Sequence, residues 1–230
     1  RDIMIYCFGD SWGAGAELKR GEKPFVKLFN KPYINYSFEG NSYPIIVSQI
    51  FDNIHKINNE DIVLVVIPPD IRWMKQDGKG FIPYMLKDDG YIDWVIDKDE
   101  YWFRYHSSLF TYSIQSVLDS IGCTYLFMHN YGGEFIVDDR FKSLINTDNF
   151  LNIKKSLTTL LEANDVYQAW EKDATLENLI DGPVSESPFV EIKNRKVFNS
   201  KYFEGTANHP NQLGHYRIKE LIEDALIKRT

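Results

Sequence analysis

The sequence has few cysteines, no excess of positive charge and no long apolar run, and each absence excludes a class of protein. Its two cysteines, Cys7 and Cys123, are far apart in the 230 residues and provide neither a disulfide framework nor a metal-ligand set. The 26 lysines and arginines are outnumbered by 33 acidic residues, and no basic stripe is present to neutralise nucleic-acid phosphates. No segment approaches the roughly 20 apolar residues of a membrane span. We therefore expect a soluble protein with no nucleic-acid partner and no membrane span.

The same absences favour a soluble location, in the cytoplasm or in association with a virion, over a membrane. Two isolated cysteines in apolar surroundings also favour a reducing compartment. Because a strand pattern begins directly after Arg1 and Asp2, a signal peptide is expected to be either absent or already removed. The sequence leaves export and oligomeric state open.

The order of apolar segments predicts the fold. Strands are predicted over 3–8, 33–37, 61–67 and 124–128, and helices over 45–54, 99–121, 151–162 and 216–228. Strands that alternate with helices pair in parallel through right-handed crossovers, which predicts a three-layer α/β/α sandwich with a mostly parallel sheet. The length and the 43% hydrophobic content fit a single domain over residues 1–230.

One segment, 72–100, has no clear periodicity. It is rich in glycine, aspartate, lysine and aromatic residues, so we expect a long excursion over the edge of the sheet, where binding surfaces often form. The aromatic content of the whole chain, 15%, fits either a sugar-facing surface or an aromatic-rich core, and we favour the core.

The first candidate functional motif follows the first predicted strand and reads Phe8-Gly9-Asp10-Ser11-Trp12-Gly13-Ala14-Gly15. It puts a serine where a buried strand turns toward a helix, at the sheet edge where ligands bind in such folds. Backbone N–H groups and the helix dipole at that point favour the oxyanion of an acyl-transfer reaction. A serine at the start of a helix is also a common N-cap, so this motif alone is a weak signal.

The second motif lies immediately before the last predicted helix and reads His209-Pro210-Asn211-Gln212-Leu213-Gly214-His215. Its proline and glycine can fix the turn and hold the His209 imidazole at the edge of the sheet. A histidine held there can accept a serine proton and return it to a leaving group. An isolated histidine is more often a capping or solvent-facing residue, but the two motifs together favour a catalytic pair.

These two motifs resemble the first and last sequence blocks of the SGNH (GDSL-like) hydrolase superfamily. The resemblance implies a flavodoxin-like sheet, esterase chemistry without metal or cofactor, Ser11 as the nucleophile and His209 as the base. It also implies that the backbone N–H groups of Ser11 and Gly40 form an oxyanion hole, with Asn41 lining the same pocket. Asp10 is a further candidate for that pocket or for orienting the base.

The sequence departs from the family at two catalytic positions. Where the family's third block carries an asparagine that donates to the oxyanion, this chain has Pro69, followed by Asp70. Three residues before His209, where the family has an acid, stands Thr206. The base could be oriented instead by a backbone carbonyl, by Thr206, or by a carboxylate such as Glu204 or Asp70, and the sequence does not choose among them.

The sequence thus predicts a serine esterase that removes a short acyl group, most simply acetyl, from a carbohydrate or another small polar ester. Two alternatives remain: a catalytically degenerate glycan-binding or structural module, and an acyltransferase that uses the same residues. The form of the first motif and the degenerate third block also resemble hydrolase-like proteins carried by phages. His106 and His129 have no partner at metal-ligand spacing, so we expect structural roles for both and no metal site.

Overall fold

The computed structural model describes residues 2–16, 18–70, 72–77, 80–84, 89–130, 134–161, 189–192, 195–198, 202–204 and 209–228, without the side chains of 76–77, 80–81, 189–192, 195–198 and 204. The strands are β1 (Ile5–Phe8), β2 (Tyr33–Asn35), β3 (Ile62–Ile67), β4 (Trp73–Asp77), β5 (Gly80–Tyr84), β6 (Thr124–His129), β7 (Phe189–Ile192), β8 (Arg195–Phe198), β9 (Phe203–Glu204) and β10 (His209–Pro210). The α-helices are α1 (Ser11–Ala14), α2 (Tyr43–Asn53), α3 (Tyr91–Ile96), α4 (Glu100–Ile121), α5 (Leu157–Leu160) and α6 (Gln212–Ile227). Short 3-10 helices span Phe25–Leu28, Ile54–Lys56, Asp139–Phe141 and Thr147–Asn149.

A four-stranded parallel sheet of order β2-β1-β3-β6 forms the centre of the fold. In its register Cys7 lies opposite both Asn35 and Leu64, and Ile67 lies opposite His129. All four strands therefore end at the same edge. The residues that follow them come together there, because parallel strands share one direction.

The sheet is covered on both faces. Successive residues of a strand point to opposite sides, so each buried strand contributes apolar side chains to both faces. Alternate residues of β1 and β3 pack with α6 on one face, and this group includes Ile5, Cys7, Leu64, Val66, Ile218 and Ile222. The intervening residues pack with α2 and α4 on the other face, and this group includes Tyr6, Phe8, Val63, Val65, Ile46, Ile50, Ile114 and Leu118. The predicted three-layer α/β/α architecture is confirmed.

The ends of α4 also follow the sequence prediction. The Asp99 carboxylate caps the first turn by accepting a 2.7 Å hydrogen bond from the Trp102 N–H. Gly122, with φ of 75°, ends the helix in the left-handed conformation that glycine adopts without strain.

Three elements differ from the prediction. The segment 72–100, expected to be irregular, contains the antiparallel hairpin β4–β5 and the helix α3. The helix predicted over 151–162 is α-helical only at Leu157–Leu160 within its described residues, because Leu151 first donates its N–H to Phe127 and extends the chain along β6. The last helix begins four residues earlier than predicted, at Gln212, because Asn211 caps it by accepting from the Gly214 N–H.

Candidate active site

Ser11 is the first residue of α1, three residues beyond the end of β1. The preceding residue, Asp10, caps the turn by accepting a 3.1 Å hydrogen bond from the Trp12 N–H. Because α1 has only four residues, its dipole is small, and the electrostatic support that we expected from a helix dipole is correspondingly weak. What remains is the set of backbone N–H groups at the start of the turn.

The glycines of this turn allow a close approach to the neighbouring strands. A Cβ on Gly13 would lie 2.3 Å from Ser37 Oγ and 2.9 Å from Ser37 Cβ, and one on Gly9 would lie 2.7 Å from Val66 Cβ. No side chain fits at either position without a shift of its surroundings. The turn that carries Ser11 is therefore packed directly onto β3 and onto the segment after β2.

The Ser11 side chain is covered in this structure. Its residue surface is 3% exposed, and Oγ has no hydrogen-bond partner among the described residues. A hydrogen bond from Ser11 to His209 is thus not formed. The backbone N–H groups of Ser11 and Gly40 likewise donate to no described residue.

Three hydrogen-bond donors hold the Asp10 side chain. Its carboxylate is fully buried and accepts hydrogen bonds from Arg72 Nη1 at 2.6 Å and from Asn130 Nδ2 at 2.7 Å, besides the Trp12 N–H. Burial raises the pKa of Asp10, and the charges of Arg72 and His209 and the two N–H donors oppose this rise.

The loop after β2 lies against the same turn. Phe38 N–H and Asn41 Nδ2 both donate to the Gly9 carbonyl, and Gly40 between them has a φ of 73°. Asn41 is fully buried, and its amide also binds Gln49 and the Ser42 N–H. In this structure Asn41 therefore supports the loop from within, and its expected role in lining the pocket stays a prediction.

Asp70 follows β3, as the sequence predicted, and its carboxylate is bound by a residue of α4. Its carboxylate accepts a 2.8 Å hydrogen bond from Ser107 Oγ on α4. Although the residue as a whole is exposed, desolvation of the carboxyl raises the pKa of Asp70 to about 6, and the Ser107 hydroxyl opposes the shift. Pro69, in the position of the family's oxyanion asparagine, accepts the Arg72 N–H through its carbonyl and closes the turn after β3.

His209 lies beside the Ser11 turn. It pairs with Glu204 across the two-stranded β9–β10 ladder, and β10 contacts α1. The half-buried imidazole is near enough to Asp10 for its charge to lower the pKa of that carboxyl. Of the alternatives for orienting the base, Thr206 and the Glu204 side chain lie outside what the structure describes.

Sequence reasoning missed two residues of this site, Arg72 and Asn130. Asn130 directly follows β6, and its backbone N–H donates to the Ile67 carbonyl. Its backbone carbonyl accepts hydrogen bonds from both the N–H and the hydroxyl of Thr158. A usable signal was present, since Asp10, Arg72 and Asn130 are polar residues just beyond the ends of three buried strands. Such residues meet at the carboxyl edge of a parallel sheet.

Ten of the 34 aromatic residues lie in the segment 72–110. Trp73 lies next to Arg72 in the chain, and its ring packs with those of Trp94, Trp102, His106 and Phe110 at centroid distances of 4.7 to 5.7 Å. These half-buried rings join the hairpin, α3 and α4. His106 is thus a packing residue, whose Nδ1 also lies 2.8 Å from the Trp102 carbonyl oxygen.

The described residues contain no group of three or more histidine, cysteine or carboxylate side chains that could hold a metal ion. An open cavity lies between the segment 147–152, α5 and α6 of the described residues. None of the candidate catalytic residues lines it. Among the described helices, none combines the length and the apolarity needed to cross a membrane.

Neither a protein-family model nor a curated protein sequence matches the chain. Several solved structures are similar to it. One is a member of the lipolytic protein G-D-S-L family from Veillonella parvula, with 13% identity, a TM-score of 0.43, and coverage of 96% of this chain and 97% of that one. Another is the psychrotrophic esterase EstA from Pseudoalteromonas sp., with 11% identity, a TM-score of 0.45, and coverage of 99% and 98%.

A third similar structure is a catalytic mutant of Axe2, an acetylxylan esterase from Geobacillus stearothermophilus, with 11% identity, a TM-score of 0.45, and coverage of 98% and 94%. These three structures are those of a lipolytic protein and two esterases. At these TM-scores they carry no inference about individual residues of this chain. The resemblance to phage-borne hydrolases gains no support from them.

Proposed function

We propose that the chain is a serine esterase of the SGNH type that removes a short acyl group, such as acetyl, from a carbohydrate or another small polar ester. One observation carries the proposal. The serine of the first motif and the histidine of the last motif, far apart in sequence, lie on contacting elements, α1 and β10. The N–H groups of Ser11 and Gly40, which donate to no described residue, add the donors that an oxyanion requires.

The reaction proposed is a two-step acyl transfer. Ser11 Oγ attacks the ester carbonyl while His209 takes the hydroxyl proton, and the tetrahedral intermediate expels the alcohol, which receives that proton. Water then attacks the acyl-enzyme with His209 as base, releasing the acid and restoring Ser11. Because Ser11 Oγ is covered in the structure, the first step requires that this atom become accessible to the substrate.

The test is turnover of an aryl acetate together with phosphonylation of the nucleophile. The wild type should hydrolyse p-nitrophenyl acetate and should be labelled at Ser11 by a fluorophosphonate, and Ser11→Ala should lose both. Ser42→Ala is a matched control, since Ser42 is also a buried serine whose Oγ has no partner among the described residues. If wild type and Ser11→Ala hydrolyse short acyl esters equally slowly, the proposal fails.

One observation favours a second candidate, a glycan-binding module that has lost activity. A catalytic serine is usually hydrogen-bonded to its base, and Ser11 Oγ is buried without a described partner. Saturable binding on a glycan array, with neither turnover nor labelling, would identify this module. An acyltransferase would instead be labelled at Ser11 and would transfer the acyl group to an added alcohol in preference to water.

A further inference from the structure

The carboxylate of Asp10 presents a problem for any reaction that builds negative charge at Ser11. It belongs to the residue preceding the nucleophile, and it is fully buried, so water does not screen it. An unpaired carboxylate within about 6 Å of a developing oxyanion would slow the reaction by about 10²-fold at the effective dielectric of a protein site. The site therefore needs a positive charge near Asp10.

Arg72 provides that charge. Its Nη1 lies 2.6 Å from Asp10 Oδ2, and its side chain is 27% exposed, whereas that of Asp10 is completely buried. A guanidinium has five N–H donors. Among the described residues, Asp10 is the one side chain to which the Arg72 guanidinium donates a hydrogen bond. The ion pair also links the turn after β3 to the turn that carries Ser11.

The other titratable groups around Asp10 do not substitute for Arg72. His209 acts on the Asp10 carboxyl, but more weakly than Arg72 does. Burial raises the pKa of the Cys7 thiol to about 12, so the thiol stays neutral. Near Arg72 itself lies Tyr91, whose pKa burial raises to about 12, so this phenol is neutral as well.

We propose that Arg72 is a positioning residue of the esterase. Its guanidinium holds the ionised Asp10 carboxylate in place as the cap of the Ser11 turn and cancels the carboxylate's charge beside the reacting ester. The proposal rests on the proposed function for its catalytic part, but the ion pair itself is testable without turnover.

The kinetic experiment compares Arg72→Met, Arg72→Lys, Asp10→Asn and the double variant Asp10→Asn/Arg72→Met on p-nitrophenyl acetate. Arg72→Met should lower kcat by about 10- to 100-fold with little change in KM, because the buried carboxylate of the residue before the nucleophile then lacks its ion-pair partner. Arg72→Lys should retain most of kcat. The double variant should recover most of the loss, because no unpaired carboxylate remains. A double variant as slow as Arg72→Met, or an Arg72→Met kcat within twofold of wild type, overturns the proposal.

A second readout separates this inference from the proposed function. Without Arg72 the buried Asp10 carboxyl becomes easier to protonate, so Arg72→Met should lower the Tm more at pH 8 than at pH 5. The double variant should lose this difference between the two pH values. If no variant and no wild type turns over ester but the Tm pattern appears, the esterase assignment fails while the ion pair stands. If the Tm deficit is the same at both pH values, the role of Arg72 is overturned whatever the activity.

Discussion

The Nδ1 atom of His215 accepts a 3.1 Å hydrogen bond from the backbone N–H of Phe25, and the two rings stack with centroids 6.0 Å apart. This contact joins the 3-10 helix Phe25–Leu28 to α6, which completes one face of the sheet. Because Nδ1 is the acceptor, the neutral imidazole carries its proton on Nε2. Burial, followed by the charge of His209, lowers the pKa of His215 to about 3.

His215 should therefore make the protein sensitive to acid. The unfolded chain takes up a proton at this histidine near pH 6.5 and the folded chain only near pH 3, so stability falls as the pH drops through that interval. His215→Met should give a shallower fall, together with a loss of about 1–3 kcal/mol at pH 7 because the Phe25 N–H loses its acceptor. Urea unfolding at pH 7, 5 and 4 measures both, with His55→Met, at an exposed position, as control. An unchanged pH slope in His215→Met would contradict this account.

Asp70 should act in the opposite direction. Its pKa is raised to about 6, so the folded state holds the proton more tightly than the unfolded state, whose pKa is 3.8. Stability therefore falls as the pH rises from about 4 to 6 and stays lower above that. Asp70→Asn should remove this fall and gain about 1 kcal/mol at pH 8, a figure reduced for the solvent exposure of the residue.

A second substitution at this position separates the charge from the hydrogen bond. The amide introduced by Asp70→Asn would keep an oxygen that accepts from Ser107, whereas Asp70→Ala would leave no acceptor. Urea unfolding of both variants at pH 4.5 and pH 8 makes the comparison. A greater stability of wild type than of Asp70→Asn at pH 8 would refute the sign of the effect.

Gly13 should tolerate no side chain while Ser37 is in place. Gly13→Ala would push a methyl group against Ser37 Oγ, with 2.3 Å available, and should destabilise the fold by about 1–3 kcal/mol. Ser37→Gly in the same chain should restore part of that loss, since it removes both atoms that clash. The free energies of unfolding of the two single variants and the double variant form the measurement. Additive effects of the two substitutions would show that the clash is not the cause.

His209 should act on the rate and leave the fold intact. His209→Ala should lower kcat for p-nitrophenyl acetate by about 10² to 10⁴, the usual contribution of a general base. Added imidazole should restore part of the rate, and the Tm should change little because the imidazole is half-buried. His55→Ala is the control for loss of an exposed histidine. Activity within threefold of wild type would remove His209 from the mechanism.

The layers of the fold were predictable from sequence because each central strand is an apolar run bounded by clear breaks. The apolar segment 61–67 is followed directly by Pro68, which breaks the strand. The helix α4 has signals at both ends, the cap Asp99 and the terminating Gly122. The hairpin β4–β5 was not predictable, since its alternation is weak and its aromatic residues pack with α3 and α4. Its structure depends on tertiary contacts that no local pattern records.

The candidate site was also predictable in part. Ser11 and His209 stand in recognisable motifs, and the parallel sheet determines the edge at which Ser11 lies. Their catalytic roles stay a prediction. The partners of Asp10 were not foreseen, because the turns after β3 and β6 bring Arg72 and Asn130 to it from positions that no spacing rule connects.

The order of the strands also has a consequence for how the chain matures on a ribosome. β1 lies inside the sheet, and the bond from Asn130 to Asp10 spans 120 residues. At about 5–20 residues per second, a ribosome needs roughly 6–24 s to synthesise that interval. The face that Ile218 and Ile222 cover stays open longer still. A nascent chain of this protein therefore exposes an incompletely covered apolar sheet for many seconds. We expect chaperones that bind apolar segments to bind the chain during this interval.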